Sequence, residues 1–212
     1  MSMKLRRQSW KRMIRRAKRA RSGGVIVVAV LLVFAAGIII ERNTMKVNYT
    51  ELLSTIAEGE SKGNYNAYFG HANNSSVVFT DMTVADVMQW QRDFVANGQP
   101  SNAVGKYQFM GTTLAGLVSE MGIDPQTKFD EALQDKLAVR LIERRGVRDY
   151  LRGAISREQF AHNLSMEWAA LPRVVGGDPN ASYYAGDGLN KSHISINAVL
   201  GAIDTLRDKP QV

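Results

Sequence analysis

Residues 23–40 read GGVIVVAVLLVFAAGIII, 18 positions without a charged or strongly polar side chain. As a helix this run spans ~27 Å, close to the hydrocarbon thickness of a bilayer. Lipid offers no partners to backbone amides, so a helix is the expected form. The uniform apolar run then gives way to mixed patterns. These predict a basic tail over 1–22, a transmembrane helix over 23–41, a linker over 42–48 and one folded domain over 49–212.

Within that domain the spacing is mostly helical. Leu52, Leu53, Ile56 and Ala57 recur at three- and four-residue intervals after Thr50, a candidate cap, and Gly63-Asn64 ends the run. Residues 64–81 are rich in Asn, Gly and Ser around Val77-Val78, which predicts loops with a short hairpin. Thr83–Ala96 reads as a helix capped by Thr83, with Val84, Val87, Met88, Gln91 and Val95 around one face. Further helices are predicted over Thr112–Met121, from Asp124-Pro125 to Arg145, over Ser156–Trp168 and over Ser195–Arg207. The expected fold is mostly α, an α+β domain whose β part is small and irregular.

Charge changes the picture only once it is located. The net charge is +7, but residues 1–24 carry ten basic side chains and no acid. Everything after Gly24 carries 17 basic against 20 acidic residues, a net charge of −3. A domain that binds nucleic acid through phosphates needs its own basic face, so no nucleic-acid partner is expected for the folded part. The basic block before the apolar run instead puts the N-terminus in the cytoplasm and the domain on the outer side of the membrane. Cleavage after Ala35-Ala36-Gly37, or slow release of the anchor, are the competing readings.

There is no cysteine, hence no disulfide and no thiolate metal site. P-loop, dinucleotide, HExxH and GxSxG patterns are absent, and His71, His162 and His193 lack ligand-like spacing. No metal or cofactor is expected. Two carboxylates are more informative. Glu58 and Glu60 end the first helix of the domain, about 200° apart around its axis. Glu60 continues the apolar stripe of Leu53, Ile56 and Ala57, whereas Glu58 continues the wet stripe of Glu51, Ser54 and Thr55. A carboxyl on a buried helix end beside a loop is a place where desolvation raises the pKa, as general-acid catalysis requires. The bland reading of Glu60 is a carboxylate that bonds nearby amides.

The string Glu60-Ser61-Lys62-Gly63-Asn64-Tyr65-Asn66 resembles the Glu-Ser-x-Gly-Asn-Tyr-Asn signature of lysozyme-like muramidases and lytic transglycosylases. Three further segments follow in the order that superfamily uses. Ala103-Val104-Gly105-Lys106-Tyr107-Gln108-Phe109 resembles its Ala-x-Gly-x-Tyr-Gln-Phe segment. Trp168-Ala169-Ala170-Leu171-Pro172 is similar to the Trp-Ala-Ser-Leu-Pro of lambda-type phage endolysins, which are transglycosylases. Ser182 to Lys191 resembles a tyrosine-bearing loop of alphaproteobacterial and phage muramidases.

The resemblance implies a lysozyme-like catalytic domain that cuts peptidoglycan between N-acetylmuramic acid and N-acetylglucosamine, with Glu60 as the acid. It also implies Ser61, Tyr65, Gly105, Tyr107, Gln108, Trp168, Tyr183 and Tyr184 as residues that bind or frame the glycan. A hydrolase needs a second carboxylate, for which Asp81 is the first candidate and Glu167 the second. Lambda-type relatives instead close the muramic 6-hydroxyl onto C1. Both outcomes stay open, as does the use: local wall remodelling, or wall opening by a phage. The alternative of another class is a catalytically silent membrane–peptidoglycan tether on the same scaffold.

Overall fold

Seven α-helices and one 3-10 turn, joined mostly by loops, make up the described part of the computed structural model, residues 47–207. The expected tail, membrane span and first linker residues lie outside that range. Among the described residues no helix is long and apolar enough to cross a membrane. The folded unit begins at Val47. Val47 and Asn48, expected in the linker, instead join the domain: Val47 bridges Arg207, and the Asn48 amide donates to the Leu206 carbonyl at 3.3 Å.

Helix α1 spans Thr50–Ser61. Thr50 does not cap it; Asn48 Oδ1 accepts from the Thr50 amide instead (3.1 Å), two positions before the expected cap. Leu52, Ile56 and Ala57 are buried against the core, while Glu51, Ser54 and Glu58 face solvent. Lys62 then turns left-handed (φ 54°) and closes the C-terminus. Helix α2, Val84–Ala96, follows the 3-10 turn Phe79–Asp81 and carries a full capping box. Thr83 accepts from the Asp86 amide, and Asp86 accepts from the Thr83 amide. Val84, Val87 and Gln91 are buried, but Val95 stands exposed.

Helix α3 is Gly111–Met121 and α4 is Glu131–Arg144. The α4 start differs from the expected Asp124-Pro125. Residues 124–129 form a turn whose backbone serves the start of α2: Val84 N donates to Thr127 O and Ala85 N to Pro125 O. Phe129 is fully buried, and Asp130 caps α4 by accepting from Leu133 N at 2.8 Å. Tertiary pairing thus outcompetes a proline-led helix start. A five-residue helix α5, Val147–Leu151, which periodicity did not reveal, precedes α6, Arg157–Ser165. α6 ends before the predicted Trp168. The last helix, α7, is Ile196–Asp204, capped by Ser195.

The expected β part is reduced to isolated bridges among the described residues, such as Tyr68–Val104 and Val104–Phe109. No hairpin forms at Val77-Val78 because asparagine side chains take the backbone groups a partner strand would use. Asn74 Nδ2 donates to Val77 O, Asn64 Nδ2 to Ala72 O, and Asn66 Oδ1 accepts from Thr80 N. The core joins α1, α4, α6 and α7 to the inner faces of α2 and α3. Each large apolar side chain buried there contributes about 1.5–3 kcal/mol.

Candidate active site

Glu60 leaves the last turn of α1 partly buried, facing a cleft of 670 Å³. Its Oε1 accepts from the Ala170 amide at 3.0 Å. Burial pushes its pKa up from 4.5 to about 7, and the Ala170 hydrogen bond opposes only part of that rise. Its carboxyl therefore holds a proton to near neutrality while touching open space. Glu58, on the opposite side of the helix, is exposed.

The close approach of Ala170 depends on Gly59. A Cβ at this position would lie 2.8 Å from Ala170 Cβ and 2.8 Å from Ile194 Cγ1. The Ala170 methyl moves only with its backbone, so the loop itself would have to retreat. In an ordinary helix interior Gly→Ala is favourable by about 1 kcal/mol. Here Gly59→Ala is expected to lower kcat roughly tenfold or more by lifting the Ala170 amide from Glu60. Steady-state kinetics beside a thermal melt will check this, and an unchanged kcat would refute the packing argument.

The second wall is the loop 103–109, and four buried side chains fix its backbone. Gln91 Nε2 donates to Asn102 O and Phe109 O, both at 2.8 Å, holding the two ends together. Gln134 Oε1 accepts from Lys106 N (2.9 Å), Ser61 Oγ donates to Lys106 O (2.7 Å) and Trp168 Nε1 donates to Tyr107 O (3.2 Å). Gly105 turns at φ +80° with Gln134 and Phe129 against it, leaving no room for a side chain. Gln108 then adopts a left-handed conformation (φ 49°), lines the cleft, and donates from Nε2 to Gly105 O.

The predicted residues therefore separate into two groups. Glu60, Gln108, Trp168 and Tyr184 line the cleft. Ser61, Tyr65, Gly105 and Tyr107 are not among its lining residues; they brace the loop. Tyr107 is 1% exposed, and its hydroxyl donates to Asp135 Oδ1 at 2.6 Å. Tyr65 donates to the same carboxylate and accepts from Lys106 Nζ. Burial, then Asp135, push the Tyr107 phenol far above its ordinary pKa, so it stays a donor. Trp168 is 2% exposed, a core side chain that leaves too little surface for a sugar to stack on. Tyr183 is exposed but outside the lining, over the Arg173 guanidinium (5.4 Å).

Asp81 is also outside the lining. Its side chain is 75% exposed and 3.7 Å from Lys128 Nζ, because Phe79, at the other end of the 3-10 turn, takes the inward position. Glu167 does line the cleft, but Arg145 holds it at 2.6 Å and also donates to Met166 O. No pattern in the sequence pointed to Gly59, Phe69, Met110 or His193, and the resemblance of Ser182 to Lys191 singled out its tyrosines rather than Leu189, Asn190 and Lys191, which form the lip with His193. The lip belongs to an irregular loop, where no periodicity reports the direction of a side chain. Among the described residues no group of His, Asp and Glu has the arrangement of a metal site.

The Endolysin family model matches residues 50–187, from the start of α1 through the tyrosine-bearing loop. No curated protein and no solved structure matches the chain. The match covers most of the chain and encloses Glu60, Gln108 and Ala170. The chain thus belongs to the Endolysin family, phage-type lysozyme-like enzymes that cleave peptidoglycan in lysis.

Proposed function

We propose that this protein cleaves the glycan strand between N-acetylmuramic acid and N-acetylglucosamine, with Glu60 as general acid. The observation that carries the reading is a carboxyl that burial keeps protonated to a pKa of about 7, lining an open cleft of 670 Å³. Glu60 protonates the glycosidic oxygen as the bond to muramic C1 breaks, and positive charge develops across C1 and the ring oxygen. The sugar oxygen leaves as a hydroxyl, and Glu60 is left as a carboxylate.

The second step follows from the charges of the cleft. Among the described lining residues the other carboxylate is Glu167, and Arg145 occupies it. That arrangement favours attack by the substrate's own 6-hydroxyl over attack by a carboxylate or a carboxylate-activated water. The O6–C1 bond forms, and the O6 proton returns to Glu60, restoring the acid. The product is a 1,6-anhydromuramic end, the outcome of a lytic transglycosylase.

The apolar run 23–40 and the basic block before it support a tether that limits cutting to wall near the inner membrane. Mass spectrometry of muropeptides released from sacculi by the full chain tests the chemistry. Anhydro ends are expected; ends one water heavier would make it a muramidase, and no release with retained binding would make it a tether. Activity that stays with membranes after an alkaline carbonate wash is expected, and its loss to the supernatant would refute the anchor.

A further inference from the structure

The segment Asp187–Ile194 is fixed at both ends. Asp187 accepts from the Leu189 amide at 2.9 Å and the Asn190 amide at 2.8 Å, and also from Asn190 Nδ2. Its carboxylate is thereby turned onto its own loop. At the other end Ala170 O accepts from His193 N at 2.9 Å and from Ile194 N at 3.2 Å. Lys191 lies between these anchors, on the cleft lip beside His193. Its backbone is held at the lip by bonds that belong to the site, since Ala170 also binds Glu60.

The charges around Lys191 are not balanced. Glu167 is paired with Arg145, and Glu60 keeps its proton up to near neutrality. Lys191 forms no ion pair among the described residues. The working cleft is thus cationic at one lip in a domain whose net charge is negative. In an intact strand the glycan itself offers this cation nothing, because the lactyl carboxyl of each muramic acid is tied up in the amide to its stem peptide and the sugars are neutral. The anions of peptidoglycan are the carboxylates of the stem peptide carried by each muramic acid.

We infer that Lys191 is a specificity determinant that binds a stem-peptide carboxylate of the muramic acid seated in the cleft, so that peptide-bearing strands are preferred over bare ones. This rests on the glycan-cleaving reading above. The ammonium reaches the carboxylate as a mobile point charge, which suits a flexible peptide better than a rigid fork does.

The test compares the full chain with Lys191→Gln, Lys191→Glu and Lys191→Arg. Each is assayed on sacculi and on the same sacculi stripped of peptides by an N-acetylmuramoyl-L-alanine amidase. The wild type is expected to prefer peptide-bearing strands, through KM more than kcat. Lys191→Gln should lower that preference about fivefold, in keeping with a single partly solvated charge contact. Lys191→Glu should lower it further, Lys191→Arg should restore it, and added salt should weaken it in the wild type. An equal preference in wild type and Lys191→Gln overturns the inference while the enzyme reading stands. A Lys191 effect that survives stripping also overturns it, since the anion would then be the muramic lactyl carboxylate that the amidase frees, or a wall-polymer phosphate, and not the stem peptide. A wild type that cuts neither substrate removes the enzyme reading and this inference with it.

Discussion

Glu60→Gln is expected to reduce glycan cleavage by 10²–10⁴-fold, the range a positioned general acid contributes. The amide keeps the shape of the side chain and can still accept from Ala170 N, so loss of the transferable proton is the main chemical change. Glu58→Gln, on the exposed face of α1, should leave the rate within a factor of about two. The reverse result would exchange the roles of the two carboxylates. Wild-type activity should fall as pH rises through about 7, where Glu60 ionises. A pH–rate profile flat from 6 to 8.5, well past that value, would contradict an acid role.

The same group makes a stability prediction of definite sign. Its pKa is raised from 4.5 in the unfolded chain to about 7 in the fold. Between those values the folded state binds the extra proton, so stability declines with rising pH across that window. Above pH 7 the fold carries a buried carboxylate, at a cost of about 2–3 kcal/mol after allowance for its partial exposure. Glu60→Gln should remove that cost. The variant should be more stable than wild type by about this amount at pH 8, and the gap should close below pH 4.5. Denaturant melts at the two pH values measure it. A less active and more stable protein is the signature of a site that sacrifices stability for chemistry.

Legibility followed the kind of information involved. The face of α1 was readable because burial there obeys the 3.6-residue period, which set Glu60 apart from Glu58. The α2 boundary was readable because its cap, Thr83, is a local signal, to which the structure adds Asp86 as the other half of a capping box. What pattern could not supply was the direction of loop side chains. Tyr65 and Tyr107 sit within motif segments and look like sugar contacts, yet both turn inward to Asp135 on α4, 70 and 28 residues away in sequence respectively. Gln134 was missed because a glutamine within a helix normally marks a wet position, whereas this one is fully buried and holds three backbone groups. The start of α4 was misplaced for a related reason: residues 124–129 are committed to α2 by long-range pairing that no local signal carries. The folded chain thus follows periodicity where elements pack and departs from it where side chains bind a remote backbone.

Gly105→Ala should be the most damaging small substitution in the domain. The residue turns at φ +80°, a conformation that costs an L side chain about 1–2 kcal/mol. The added methyl would collide with Gln134 Oε1 and lie 3.2 Å from Phe129 Cε1. Gln134 cannot swing aside freely. Its Nε2 donates to Tyr65 O and Phe129 O, both at 3.1 Å, and its Oε1 is the acceptor for Lys106 N. Displacing it leaves buried polar groups unpaired, at about 1–3 kcal/mol each. A total loss of about 3–5 kcal/mol is expected, with a corresponding drop in Tm. At temperatures where the variant still folds, the loop that carries Gln108 should be loosened and kcat lowered about a hundredfold. Gln134→Ala offers the control. It removes the clamp but not the glycine, so it should reproduce the loss of kcat, and pairing it with Gly105→Ala should cost much less than the sum of the two. Strict additivity would show that the glycine and the glutamine act independently, and that the wall facing Glu60 is held by something else.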